Sequence, residues 1–239
     1  MYAAISIAIS LVLWASSAQA ACEQIVFEDT PFTVCAADPK TDDIRLFLKG
    51  EDGTPLGTFG NVEETLDGAG LRFAMNAGMY HSDRRPVGLY IENGVELAPI
   101  VTREGPGNFG LLPNGVFCIT DTKAEVIESR SFDAAPPACT YATQSGPMLV
   151  INGALHPRFL PDVTSVKTRN GVGVRGDGSI VAVISDRPVN FHQFARFFRD
   201  VLETPNALFL DGTVSRLYAP ALNRHDLGLP MGPILGVID

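Results

Sequence analysis

Apolar residues in this chain come in short runs, each closed by a cluster of Gly, Pro, Asn, Asp or Ser, a rhythm that predicts many short strands. Ile44–Leu48 stops at Gly50–Thr54, Leu71–Met75 at Asn76-Ala77-Gly78, Tyr141–Thr143 at Gln144-Ser145-Gly146-Pro147, Ser179–Ile184 at Ser185-Asp186-Arg187-Pro188, and Asn206–Leu210 at Asp211-Gly212. Four hairpins are predicted. Gln24–Phe27 and Phe32–Cys35 flank Asp29-Thr30-Pro31, Val87–Ile91 and Val95–Ile100 flank Glu92-Asn93-Gly94, Gly110–Leu112 and Val116–Ile119 flank Pro113-Asn114-Gly115, and Gly171–Arg175 and Ser179–Ile184 flank Gly176-Asp177-Gly178. Asn-Gly and Gly-x-Gly turns supply the positive φ angles of tight hairpins.

One stretch carries helical periodicity. From Asn190 to Glu203, Phe191, Phe194, Ala195, Phe198, Val201 and Leu202 recur at three- and four-residue steps behind an Asn suited to the N-cap. Val62–Leu66 is long enough for a single helical turn. The predicted fold is therefore one α+β domain of mixed β-sheets, with many short strands, few helices and a site where strands end. Residues 21–71 form an N-terminal meander.

Composition narrows the partners. A formal charge of −9 disfavours nucleic acid and anionic membrane surfaces, so any phosphate must be met by a few local arginines. Ile5–Ala15 followed by Ala18-Gln19-Ala20 predicts a signal over residues 1–20 with cleavage after Ala20. The mature domain, 21–239, is then secreted or periplasmic, without stable membrane insertion. Cys22, Cys35, Cys118 and Cys139 fit two disulfides in an oxidising compartment. Of the three connectivities, Cys22–Cys35 with Cys118–Cys139 is favoured, since the first staples a hairpin and the second ties a strand to the Pro136-Pro137 loop.

Several motifs carry less chemistry than their letters imply. Gly171-Val172-Gly173-Val174-Arg175-Gly176 matches a dinucleotide fingerprint, but a strand follows it where a helix is required. Ser145 lacks the first glycine of a nucleophile elbow, and the histidines are scattered. No zinc spacing, His-Glu-x-x-His or calcium loop occurs, so no metal or other cofactor is expected. Asp186 and Asp211 at strand exits, with Arg169 beside the hairpin that ends at Asp186, are the best candidates. Alone, Arg187 and Arg216 read as surface ion-pair residues.

In order along the chain these clusters resemble the phosphodiester glycosidase family. Met75-Asn76-Ala77-Gly78 is similar to its Asn-Gly-Gly strand exit, and Ser145-Gly146-Pro147-Met148-Leu149-Val150 with Asn152-Gly153 to its Ser-Gly-Pro segment. Arg169 before Gly171-Val172-Gly173, the turn Ser185-Asp186-Arg187, and Leu210-Asp211-Gly212-Thr213-Val214-Ser215 resemble its Arg-hairpin, Asp-Gly-Arg and Leu-Asp-Gly-Gly-Gly-Ser elements. Ala77, Thr213 and Val214 replace family glycines, and Pro188 follows Arg187.

The resemblance implies an exported hydrolase that breaks the glycosidic C–O bond of a sugar-1-phosphodiester in a phosphorylated carbohydrate or glycan. A phosphate monoester leaves easily, so a carboxylate at the anomeric carbon and an Arg on the phosphate suffice. Asp211 takes the first role, Arg169 the second, and Asp186 is the second carboxylate. Asn76, Gln144, Ser145, Ser215 and Arg187 complete the substrate-binding set. The rival reading is a non-catalytic envelope carbohydrate-binding or scaffold protein using the same cleft.

Overall fold

The computed structural model describes residues 22–239; the signal predicted over residues 1–20 lies outside the described residues. Among the described residues there are three sheets, and every ladder in them is antiparallel. The largest has seven strands, in the spatial order Cys22–Phe27, Thr30–Ala37, Ile180–Ser185, Asn170–Val174, Asn206–Asp211, Met148–Ile151 and Ala154–Leu155. Its two faces bury different partners. Leu208, Leu210 and Val172 pack with Phe73, Met75, Leu235 and Phe117 of the two five-stranded sheets. On the other face, Ala207, Phe209, Val181 and Val183 meet Phe194, Phe197 and Phe198. A strand buried on both faces reads as a continuous apolar run, which explains Ala207-Leu208-Phe209-Leu210.

Gly171 and Gly173 are required by the same packing. A Cβ at Gly171 would lie 2.7 Å from the Leu208 carbonyl oxygen, and one at Gly173 2.8 Å from Thr204 Cγ2. The Gly-x-Gly is thus a hairpin pressed against its neighbours, as its strand context implied.

Asn190 caps the helix, its Oδ1 accepting from the Gln193 N–H at 2.8 Å. The α-helix covers only Phe191–Arg196, and Phe197–Val201 continues as a π-helical turn. The wider turn shifts the buried face. Phe197 is fully buried and Val201 is 36% exposed, so Val201 leaves the predicted apolar stripe. Of the other short helices, Phe59–Glu63 begins earlier than expected, with Thr58 as its cap, and Ser129–Ala134 was not expected from the sequence.

Two predicted turns are corrected. The first hairpin turns at Glu28-Asp29, both with positive φ, while Thr30 and Pro31 already pair with Phe27 and Val26. Asn114 is buried and forms no hairpin turn: its side chain donates to the Phe109 carbonyl at 3.0 Å. Gly115–Ile119 pairs instead with Ala124–Glu128 and Tyr141–Ser145. Both disulfides join the favoured pairs, Cys22–Cys35 and Cys118–Cys139, across separations of 13 and 21 residues.

Closing a loop of this size stabilises by about 3 kcal/mol through the unfolded state. Replacing both Cys118 and Cys139 with Ala should lower the unfolding free energy by about that amount in chemical denaturation. An unchanged denaturation midpoint would show that the bridge contributes nothing.

Candidate active site

The Asn206–Asp211 strand ends in an irregularity that aims its last residue. In the ladder with Asn170–Val174, Gly171 faces Phe209 but Asn170 faces Asp211, so Leu210 is the extra residue of a bulge. Ser145 Oγ donates to the Leu210 carbonyl at 2.9 Å, fixing that bulge from the neighbouring sheet.

The chain then folds back over the Asp211 carboxylate. Oδ1 accepts from the backbone N–H groups of Gly212 and Thr213, the latter at 2.7 Å, and Oδ2 accepts at 3.3 Å from both the Val214 N–H and Asn76 Nδ2. Asn76 Oδ1 in turn accepts from the Arg216 N–H at 3.1 Å, and the Asn76 carbonyl accepts from Asn170 Nδ2 at 2.8 Å. Ser215 Oγ stands 3.0–3.1 Å from the carbonyls of Asp211 and Thr168 and from Asn170 Oδ1. Asp211 is only 7% exposed. Burial raises its carboxyl above the ordinary aspartate value, against the lowering effect of the three turn amides.

Asp211 opens onto a cleft of about 340 Å³, walled by Met79, Tyr80, Arg84, Asn108 and Leu229. Three larger hollows, of about 540, 630 and 410 Å³, contain none of the predicted site residues. Arg84 lies over the Tyr80 ring, 5.3 Å from its centroid. Tyr80 and Arg84 belong to a loop whose charge was visible in the sequence, but nothing there placed it against Asp211.

Arg169 lies beneath the Asp211-Gly212 turn, with Nη1 3.4 Å from where a Gly212 Cβ would be. It is fully buried, its guanidinium 3.7 Å from the centre of the Phe191 ring, with Nε donating to the Val189 carbonyl and Nη2 to that of Ser165. Desolvation lowers its pKa to about 10, which leaves it charged at neutral pH. Arg169 and Ser185 do pair at one end of the hairpin, the Ser185 N–H donating to the Arg169 carbonyl.

The other predicted residues disperse. The Asp186 carboxylate binds Arg224, Thr33 and Gln24 and shares no partner with Asp211. The strand before it is separated from Asn206–Asp211 by Asn170–Val174, about 10 Å at the usual strand spacing. Arg187 is exposed. Gln144 is an internal clamp: Oε1 accepts from the N–H groups of Leu89 and Val101, and Nε2 donates to the Val101 carbonyl and Ser129 Oγ. Ser145 serves the bulge. Arg216, read from sequence as a surface residue, is 6% exposed and forms no ion pair among the described residues. Asn170, which links Asn76 to Ser215, was missed because its role depends on three strands meeting. Among the described residues, no group of three or more His, Cys, Asp or Glu is placed to hold a metal ion.

Comparison with known proteins gives the family and the fold. The sequence profile described as phosphodiester glycosidase matches residues 69–237. An Escherichia coli (strain K12) protein, the uncharacterized protein YigE, is 34% identical over 201 residues, covering 83% of this chain and 79% of that one. The fold is similar to the zebrafish N-acetylglucosamine-1-phosphodiester alpha-N-acetylglucosaminidase catalytic domain auto-inhibited by its pro-peptide, with a TM-score of 0.64 and 14% identity over 92% of this chain and 82% of that one. A putative exported protein from Burkholderia pseudomallei K96243 gives a TM-score of 0.58 at 12% identity, covering 87% and 74% of the two chains.

The internal role of Gln144 has a direct test. Gln144→Ala strips an acceptor from two amides, at about 1–3 kcal/mol for each one left buried and unpaired. The variant should melt at lower temperature while its folded fraction keeps the wild-type KM. Wild-type stability with a raised KM would return Gln144 to the substrate.

Proposed function

Because the chain belongs to the phosphodiester glycosidase family, we propose that it hydrolyses the glycosidic C–O bond of a sugar-1-phosphodiester. The observation that carries this reading is the Asp211 carboxylate, held by three turn amides and Asn76, facing a cleft with Arg84 on its wall and Arg169 beneath its turn. In the reaction, water adds to the anomeric carbon and the bond from that carbon to the bridging oxygen breaks. The sugar gains a hydroxyl, the phosphate monoester departs with the bridging oxygen and its electron pair, and one proton passes to solvent. In its carboxylate form, Asp211 stabilises positive charge developing at the sugar or takes the proton of the attacking water.

A good leaving group makes a general acid less necessary. One carboxylate therefore suffices, and Asp186 is a scaffold residue tying the Thr30–Ala37 strand to Arg224. Arg169 acts from beneath the turn through its charge, since two of its three nitrogens are engaged by carbonyls. The family glycines replaced by Thr213 and Val214 are not needed for the turn: both amides still reach the Asp211 carboxylate, and the Val214 side chain packs against a buried apolar cluster. Two disulfides accord with an exported protein working in the periplasm or outside the cell. Among the described residues, no helix is long and apolar enough to cross a membrane.

The reaction is tested in ¹⁸O-labelled water with a chromogenic sugar-phosphodiester. Label should enter the sugar hydroxyl and not the phosphate, and Asp211→Asn should reduce kcat by roughly 10²-fold or more. Label in the phosphate would place the attack at phosphorus. A wild-type protein that binds glycan without turnover would favour the carbohydrate-binding reading.

A further inference from the structure

Among the described residues, Arg216 is the one cation with buried side-chain donors left without a partner. Its side-chain Nε and Nη2 are fully buried and find no hydrogen-bond partner among the described residues. These two N–H groups lie on the same edge of the planar guanidinium, the edge that meets two oxygens of a carboxylate or phosphate in parallel. The nearby carboxylate, Asp226, is already occupied, accepting from Arg224 Nη2 at 2.9 Å and the Leu217 N–H at 3.0 Å. An unpaired guanidinium out of water is costly for the protein that carries it. An anion arriving from outside would remove that cost.

The edge lies beside the Asp211 cleft. The backbone N–H of Arg216 donates to Asn76 Oδ1, and Nδ2 of the same side-chain amide donates to Asp211. Tyr80, on the cleft wall, lies within electrostatic reach of both groups, its phenol raised by burial and by Asp211 and lowered by Arg84 and Arg216. What separates Arg216 from the cleft is the segment from Leu227 to Pro230. Gly228, at φ +158, passes over the guanidinium, and a Cβ there would lie 3.5–3.6 Å from Cδ, Cζ and Nε. This cover is lightly held. Leu227 and Leu229 are 82% and 69% exposed, and Tyr80 Oη donates to the Pro230 carbonyl at 3.2 Å. Little apolar burial is lost when such a segment lifts.

We propose that Arg216 is the phosphate anchor of the cleft, its Nε–Nη2 edge receiving two phosphate oxygens of the substrate when the Leu227–Pro230 segment moves aside. The assignment rests on the phosphodiester reading above and adds the residue that grips the leaving group. Arg169 then supplies charge from beneath the turn and Arg216 makes the contact. A sugar-phosphodiester and free phosphate offer the same pair of oxygens, so the product should compete for the same edge.

The test uses the mature protein with Arg216→Met and Arg216→Lys, and two readouts. In thermal unfolding, inorganic phosphate should stabilise the wild type saturably at constant ionic strength. Arg216→Lys keeps a charge but loses the two-pronged edge, and should weaken phosphate binding by about tenfold or more. Arg216→Met should abolish phosphate protection and, by removing an unpaired buried charge, melt no lower than the wild type without ligand. In turnover, Arg216→Lys should raise KM for the phosphodiester and the inhibition constant of phosphate together, leaving KM for a neutral aryl glycoside unchanged. Phosphate protection that survives in both variants, or an Arg216→Lys variant with wild-type KM, would overturn the assignment and leave Arg216 a structural residue. Arg216-dependent phosphate protection in a protein that turns over no phosphodiester would uphold the anchor and defeat the proposed reaction.

Discussion

A carboxylate taken out of water loses its hydration, and a fold that keeps one buried must supply donors in fixed positions. At Asp211 the donors come from the residues that follow it. The amides of Gly212, Thr213 and Val214 close on its oxygens, and Asn76 reaches across from the Leu71–Asn76 strand. The other site features follow from holding this turn in place. The bulge at Leu210 ends the strand, Ser145 fixes the bulge, Asn170 and Ser215 brace the return of the chain, and Arg169 provides a cation below. The balance still favours the neutral acid more than water does, because desolvation outweighs the amides. Such a carboxylate is poised to interact with positive charge developing beside it.

The seven-stranded sheet makes this possible by being buried on both faces. Phe209 and Leu210 point to opposite cores, so the strand is clamped along its length and only its exit is open to the cleft. Sites at the ends of rigid strands are positioned more closely than sites on free loops. The substitution of family glycines by Thr213 and Val214 fits the same frame: the turn needs their amides, and Val214 adds an apolar contact underneath.

Local features were legible in the sequence. Turn clusters bounded the strands, a strand after Gly171-Val172-Gly173 excluded a dinucleotide site, and a hairpin between Cys22 and Cys35 with the Pro136-Pro137 loop before Cys139 favoured the observed pairing. Features set by distant contacts were not. A strand exit gives the edge on which Asp186 stands, but its side chain is taken by Arg224, 38 residues later. Gln144 sits in a motif of the right kind, yet its amide faces inwards to Leu89 and Val101. Arg216 looked like a solvated charge because sequence does not show the segment folded over it. The π-helical turn shifted one position of an otherwise correct apolar stripe, exchanging Val201 for Phe197.

The central claim is that Asp211 is a desolvated carboxylate whose protonation is set by burial against the pull of its turn. Its folded pKa is therefore above the unfolded value of about 3.9. The sign follows from linkage: folding favours the protonated form, so Asp211 costs stability as pH rises from about 3.9 through its folded pKa, and this cost is absent below about 3.9. The direct measurement is a ¹³C NMR titration of protein labelled at the aspartate carboxyl carbons, with the Asp211 resonance assigned by its loss in Asp211→Asn. A midpoint above the ordinary aspartate range is expected. A midpoint at or below about 3.9 would mean that the turn amides dominate, and would contradict the account of how this site is built.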